Sequence, residues 1–108
     1  MASIKPVAGE VWFADLGVVA KGRPVLVLAY PEVEDARALA IVAPLTSQIR
    51  GLRGEIDIGK PSWLAKNSAV NLQGLASFDH KKLGHKMGRL NLAEMSRVKN
   101  GLRDLLGL

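Results

Sequence analysis

The spacing of apolar residues changes period along the chain, and each change predicts an element. From Glu10 to Leu16, Val11 and Phe13 (with Ala14) stand against Glu10, Trp12 and Asp15, the alternation of a half-buried strand. Pro24–Tyr30 and Ala36–Leu45 are instead continuous runs rich in Val, Leu, Ile and Ala, which predicts strands covered on both faces. The acidic, Pro-started segment Pro31–Asp35 lies between them, so the two should form an antiparallel hairpin. Thr46–Gly54 reads as a polar, basic loop and Glu55–Ile58 as a short alternating strand, stopped by Gly59-Lys60-Pro61-Ser62. Ser68–Phe78 is extended with a bend at Gly74, and His85–Leu90 is a last edge strand.

Near the C-terminus the period becomes helical. Leu92, Met95, Val98, Leu102, Leu105 and Leu106 form one apolar stripe. Asn91, followed three residues later by Glu94, predicts a capped start, and Gly107 a stop. Gly101 weakens this helix by about 1 kcal/mol relative to Ala, so it should lean on the sheet. Residues 1–108 therefore predict a single domain, mainly β, with five to seven short, strongly curved strands and a C-terminal helix.

Composition narrows the chemistry. With 48% hydrophobic but only 5% aromatic residues, Leu, Val, Ile and Ala must fill the core. The absence of cysteine removes disulfides, Cys-based zinc sites and thiolate nucleophiles, and fits a reducing cytoplasm. Met1–Pro6 has none of the features of a signal peptide, and no apolar run approaches the roughly 20 residues of a spanning helix. A cytoplasmic protein away from membranes is the expectation. The net charge of +5 favours a polyanionic partner. Residues 79–108 concentrate it, with seven Lys and Arg against three carboxylates.

His80 and His85 match no metal-ligand spacing, and no nucleotide-binding or nucleophile-elbow motif is present. Neither a metal nor an organic cofactor is expected. Two segments can hold phosphate. In Lys21-Gly22-Arg23-Pro24, the proline forces Arg23 into an extended conformation at a strand mouth, where a guanidinium presents fixed donors. In Pro44-Leu45-Thr46-Ser47-Gln48, two hydroxyls and an amide follow an apolar strand. Taken singly, each also fits an ordinary solvated Arg or a hydrogen-bonded turn.

Taken in order, Gly9–Leu16, Gly22–Leu28 and Val42–Gln48 resemble the opening, second-strand and third-strand motifs of the MazF/PemK toxins. A looser match runs through Ser68–Asp79, Lys82-Leu83-Gly84 and the terminal helix. The resemblance implies an SH3-like barrel, a homodimer, an antitoxin partner, and cleavage of single-stranded RNA at short sequences without a metal. It also implies that Arg23 and Thr46 serve catalysis; by their own chemistry Lys21, Ser47, Gln48, Asn71 and Gln73 are the candidates for contacting substrate. The physical reading agrees, because RNA carries its own nucleophile, the 2′-hydroxyl, and fixed donors can stabilise the charged phosphorane.

The chain departs from the family in two places. A short Gly17-Val18-Val19-Ala20 link replaces a longer loop, and Asn71 and Gln73 are neutral where some relatives carry charge. Neither amide can take a proton, so Asp15, His80 and water stay open as the base. The alternative to a nuclease is a non-catalytic module on the same barrel: a gyrase poison of the CcdB kind, or a binder of RNA or antitoxin.

Overall fold

Among the described residues, seven strands and one α-helix form where the pattern changes period. The structure is a computed structural model and describes residues 5–15, 22–32 and 38–108. Leu16, the Gly17–Ala20 link, Lys21 and residues 33–37 of the acidic turn lie outside the described residues. The strands are β1 (Glu10–Ala14), β2 (Arg23–Ala29), β3 (Leu39–Thr46), β4 (Glu55–Gly59), β5 (Ser68–Asn71), β6 (Ala76–Asp79) and β7 (Leu83–Arg89), followed by α1 (Leu92–Leu106).

All pairings are antiparallel, in the order β4-β5-β3-β2-β1-β7, with β6 beside the first half of β3. The β2–β3 hairpin is present as expected. Among the described residues the end strands β4 and β7 do not pair, so the sheet is curved and open rather than a closed barrel. α1 packs instead against β4 and the turn after β5, and its Val98 joins Val11, Leu26, Leu45, Val70 and Leu72 in the main core. A second cluster around Trp12, Val25, Val27 and Val42 covers the other face.

Two expectations need correction and one between them holds. β1 is not half-buried: Trp12 and Glu10 are buried along with Val11 and Ala14, because the strand lies between β2 and β7 and both its faces are covered. The interruption expected at Gly74 in Ser68–Phe78 is present, between the end of β5 and the start of β6. The Asn71 side chain accepts the Gln73 N–H at 3.2 Å and folds Leu72–Gly74 into one 3₁₀ turn between them. The helical stripe is also shorter than its sequence. Leu92 is 91% exposed and Leu106 51%, since both ends of α1 run past the sheet.

The helix caps form as predicted. The Asn91 side chain accepts the Glu94 N–H at 2.7 Å, the Glu94 carboxylate accepts the Asn91 N–H at 2.9 Å, and Gly107 takes the left-handed conformation at φ 71°. Gly101 is where the helix meets the sheet. A Cβ there would stand 2.7 Å from Leu72 Cδ1, so the residue that weakens the helix allows its closest approach.

Glu10 explains how β1 tolerates a buried carboxylate. Its Oε1 accepts the Val7 N–H at 2.9 Å and the Trp12 indole N–H at 3.0 Å, and its Oε2 meets Lys86 Nζ at 3.0 Å. Burial alone would raise its pKa, but the bonds from Trp12, Lys86 and Val7 and the Lys86 charge outweigh that and hold it below its ordinary value. A folded-state pKa below the unfolded one gives stability that is complete above the unfolded value of about 4.3. It is lost as pH falls from there through the folded value. Acid should therefore lower the melting temperature of the wild type more steeply than that of Glu10→Gln, whose amide does not titrate. Thermal melts across that pH range check it; parallel pH slopes would remove the Glu10 carboxylate from the balance.

Candidate active site

The hairpin register brings the two phosphate-binding segments together. Val25 pairs with Pro44 and Leu26 with Ala43, and carrying that register two residues further sets Arg23 across from Thr46. Arg23 opens β2 and Thr46 closes β3, so both lie at one end of the sheet. The Arg23 side chain is exposed and has no carboxylate partner among the described residues. Thr46 Oγ1 accepts the Gln48 N–H at 3.0 Å, which turns the chain out of β3 and leaves the hydroxyl proton available to donate. Both residues line a groove of about 490 Å³, together with Gly22, Pro24, Ser47 and Gln48.

The opposite wall was not legible in advance. It consists of Leu64, Ala65 and Lys66 from the loop before β5, Ser68 at the start of β5, and Met87 from β7. Leu64 is buried and its N–H donates to Pro61 O at 2.9 Å, while Ser68 Oγ donates to Lys66 O at 3.0 Å. The neighbouring Trp63 lies flat on Gly88 of β7, where any Cβ would come within 2.3 Å of the indole. Among the described lining residues, Arg23 and Lys66 are charged and none is a carboxylate or histidine. A groove with cations and no counter-charge suits a polyanion.

The remaining sequence candidates separate. Ser47 and Gln48 line the groove. Asn71 and Gln73 do not: Asn71 caps the 3₁₀ turn, and Gln73 Nε2 donates to Arg53 O at 2.5 Å. Gln73 thereby holds the end of the loop that follows Thr46. That loop is held further by Glu55 Oε1, which accepts N–H bonds from Arg50, Gly51 and Leu52 at 3.0, 2.8 and 3.2 Å. Arg53 ties it to the end of α1, donating to the Asp104 carboxylate at 3.1 Å and the Asp104 carbonyl at 2.9 Å. Lys21 lies outside the described residues.

Of the open proton acceptors, His80 is placed far from the groove. Its Nδ1 is 2.8 Å from the Tyr30 hydroxyl, at the other end of β2, roughly 23 Å of strand from Arg23. Asp15 follows directly after Ala14, the cross-strand partner of Arg23. His85 stacks on Phe13 with ring centroids 5.4 Å apart.

The described residues thus form a small curved antiparallel sheet with one covering α-helix and a groove at a hairpin end whose charged lining is cationic. The chain belongs to the PemK-like, MazF-like toxins of type II toxin–antitoxin systems, whose family model matches residues 8–106. It is 36% identical over 98 residues to the probable endoribonuclease MazF5 of Mycobacterium tuberculosis, covering 90% of this chain and 89% of that protein. Its fold superposes on the M. tuberculosis toxin MazF-mt6 with a TM-score of 0.78 at 25% identity, covering 92% and 97% of the two chains. An endoribonuclease from a mycobacterial species, solved in complex with its cognate antitoxin, gives a TM-score of 0.79 at 24% identity over 95% and 96%.

Proposed function

We propose that the protein is an endoribonuclease toxin that cuts single-stranded RNA in the groove between Arg23, Thr46 and Lys66. The observation that carries this reading is the convergence of Arg23 and Thr46, 23 residues apart in sequence, on one groove that holds no carboxylate among its described lining. The 2′-hydroxyl oxygen attacks the adjacent phosphorus as its proton leaves, the bond to the 5′-oxygen breaks, and that oxygen takes up a proton. The products are a 2′,3′-cyclic phosphate and a 5′-hydroxyl. Arg23 offsets the charge growing on the non-bridging oxygens, and the Thr46 hydroxyl donates to the same phosphate, with Ser47 and Gln48 beside it. Water accepts the first proton, since the described lining of the groove holds neither a carboxylate nor a histidine. The reaction needs no metal on this reading.

The same reading gives the protein a cognate antitoxin, a second copy of itself as partner, and a cytoplasmic location. The relative solved with its antitoxin supports the first. Exposed Leu92 and Leu106 on α1, and Leu39 and Ile41 on β3, supply apolar surface that partners can cover. Among the described residues no helix is long and apolar enough to cross a membrane.

Purified protein incubated with a random single-stranded RNA pool in excess chelator should yield fragments whose 5′ ends accept phosphate directly from a polynucleotide kinase. Their 3′ ends should be cyclic phosphates. Intact RNA after prolonged incubation at high protein concentration would sink the proposal.

A further inference from the structure

Arg23 and Lys66 reach the groove from opposite sides of Thr46. β2 and β5 flank β3, with Ala69 paired to Thr46, and Lys66 lies just upstream of β5. Backbones two strands apart are separated by about 10 Å. The two cations thus bracket Thr46 instead of forming one cluster. Among the described residues Lys66 has no ion-pair partner, and the salt bridges there join Arg53 to Asp104 and Lys86 to Glu10. Its backbone is nonetheless fixed, by the Ser68 hydroxyl on its carbonyl and by buried Leu64 two residues earlier. Leu45, Leu64 and Met87 add apolar lining to the groove, a surface on which a base can shed water.

We propose that Lys66 holds the phosphate of a nucleotide neighbouring the scissile one, which makes the Leu64–Ser68 wall a second nucleotide subsite. This rests on the RNA-cleaving reading above. A lysine ammonium is a mobile point charge with no fixed fork, suited to holding a phosphate whose geometry does not change. A contact made equally before and during bond cleavage strengthens binding without changing the chemical step. Lys66 is therefore a substrate-binding residue, distinct in its effects from Arg23.

The test uses a short single-stranded RNA selected for cleavage by the wild type, and its 2′-O-methyl counterpart, which binds without being cut. Lys66→Ala should weaken binding of the 2′-O-methyl RNA about tenfold at low salt and raise KM in parallel, with kcat unchanged. The slope of log affinity against log salt should become shallower by about 0.7, the value for one phosphate contact on a single strand. Lys66→Arg should keep the wild-type slope, and so should Lys99→Ala on the exposed side of α1. Wild-type affinity and slope in Lys66→Ala, while the wild type cleaves, would overturn the subsite and leave the nuclease intact. A fall in kcat at unchanged affinity would overturn it equally, by moving Lys66 into the chemical step. A wild type that neither binds nor cuts RNA would remove the parent reading.

Discussion

Arg23→Ala and Thr46→Ala will each slow RNA cleavage by about a hundred- to a thousand-fold, the usual cost of removing one donor from a developing oxyanion. Arg23 is exposed and Thr46 only partly covered, so neither change opens a cavity in the core, and melting temperatures should stay close to wild type. The loss should fall on kcat, with affinity for 2′-O-methyl RNA largely kept. Thr46→Ser, which retains the hydroxyl, should recover most of the rate. Arg23→Lys should recover less, because an ammonium keeps the charge but loses the planar fork. If both side chains serve one phosphate, the double variant will be slower by less than the product of the single effects. Wild-type rates in both folded single variants would end the assignment.

Gly88→Ala is expected to unsettle the fold and the groove together. The position has no unusual φ, so its backbone would accept alanine, but the new methyl would overlap the Trp63 indole, with Cδ2 and Cε2 at 2.3 Å. Backbone on β7 cannot retreat easily, because Gly88 is in register with Val11 of the central strand. Trp63 must lift, and it belongs to the loop that carries Leu64 and Lys66. Overpacking of this kind costs about 1–3 kcal/mol, read as a lower denaturation midpoint. RNA affinity should fall as well, although Gly88 does not line the groove. Adding Trp63→Leu should recover part of the lost stability, so that the two changes are less than additive. Strict additivity would show that the indole does not rest on Gly88.

Much of this architecture is legible from residue order, for identifiable reasons. The β2–β3 hairpin follows from two apolar runs around an acidic turn, and the caps of α1 from Asn91, Glu94 and Gly107, because these signals are local. Once the hairpin is granted, the meeting of Arg23 and Thr46 depends on register alone. What escaped the sequence depends on distant partners. Glu10 looks like an outward-facing polar residue until donors from Val7, Trp12 and Lys86 close around it. Lys66 looks like any surface lysine until Trp63 settles on Gly88 and turns its loop into a wall. Asn71 and Gln73 offer hydrogen-bonding groups suited to reading bases, but in the fold those groups bond to backbone.

The clip between Arg53 and the last turn of α1 has a consequence for the loop it ties. Both of its side chains are largely in water, 62% and 70% exposed, so it contributes only about 0.2–1 kcal/mol. A latch that weak can be undone from outside at small energetic expense. Its loss unties the segment bearing Ser47 and Gln48 from the tail of α1 and leaves Glu55 and Gln73 to keep that segment folded.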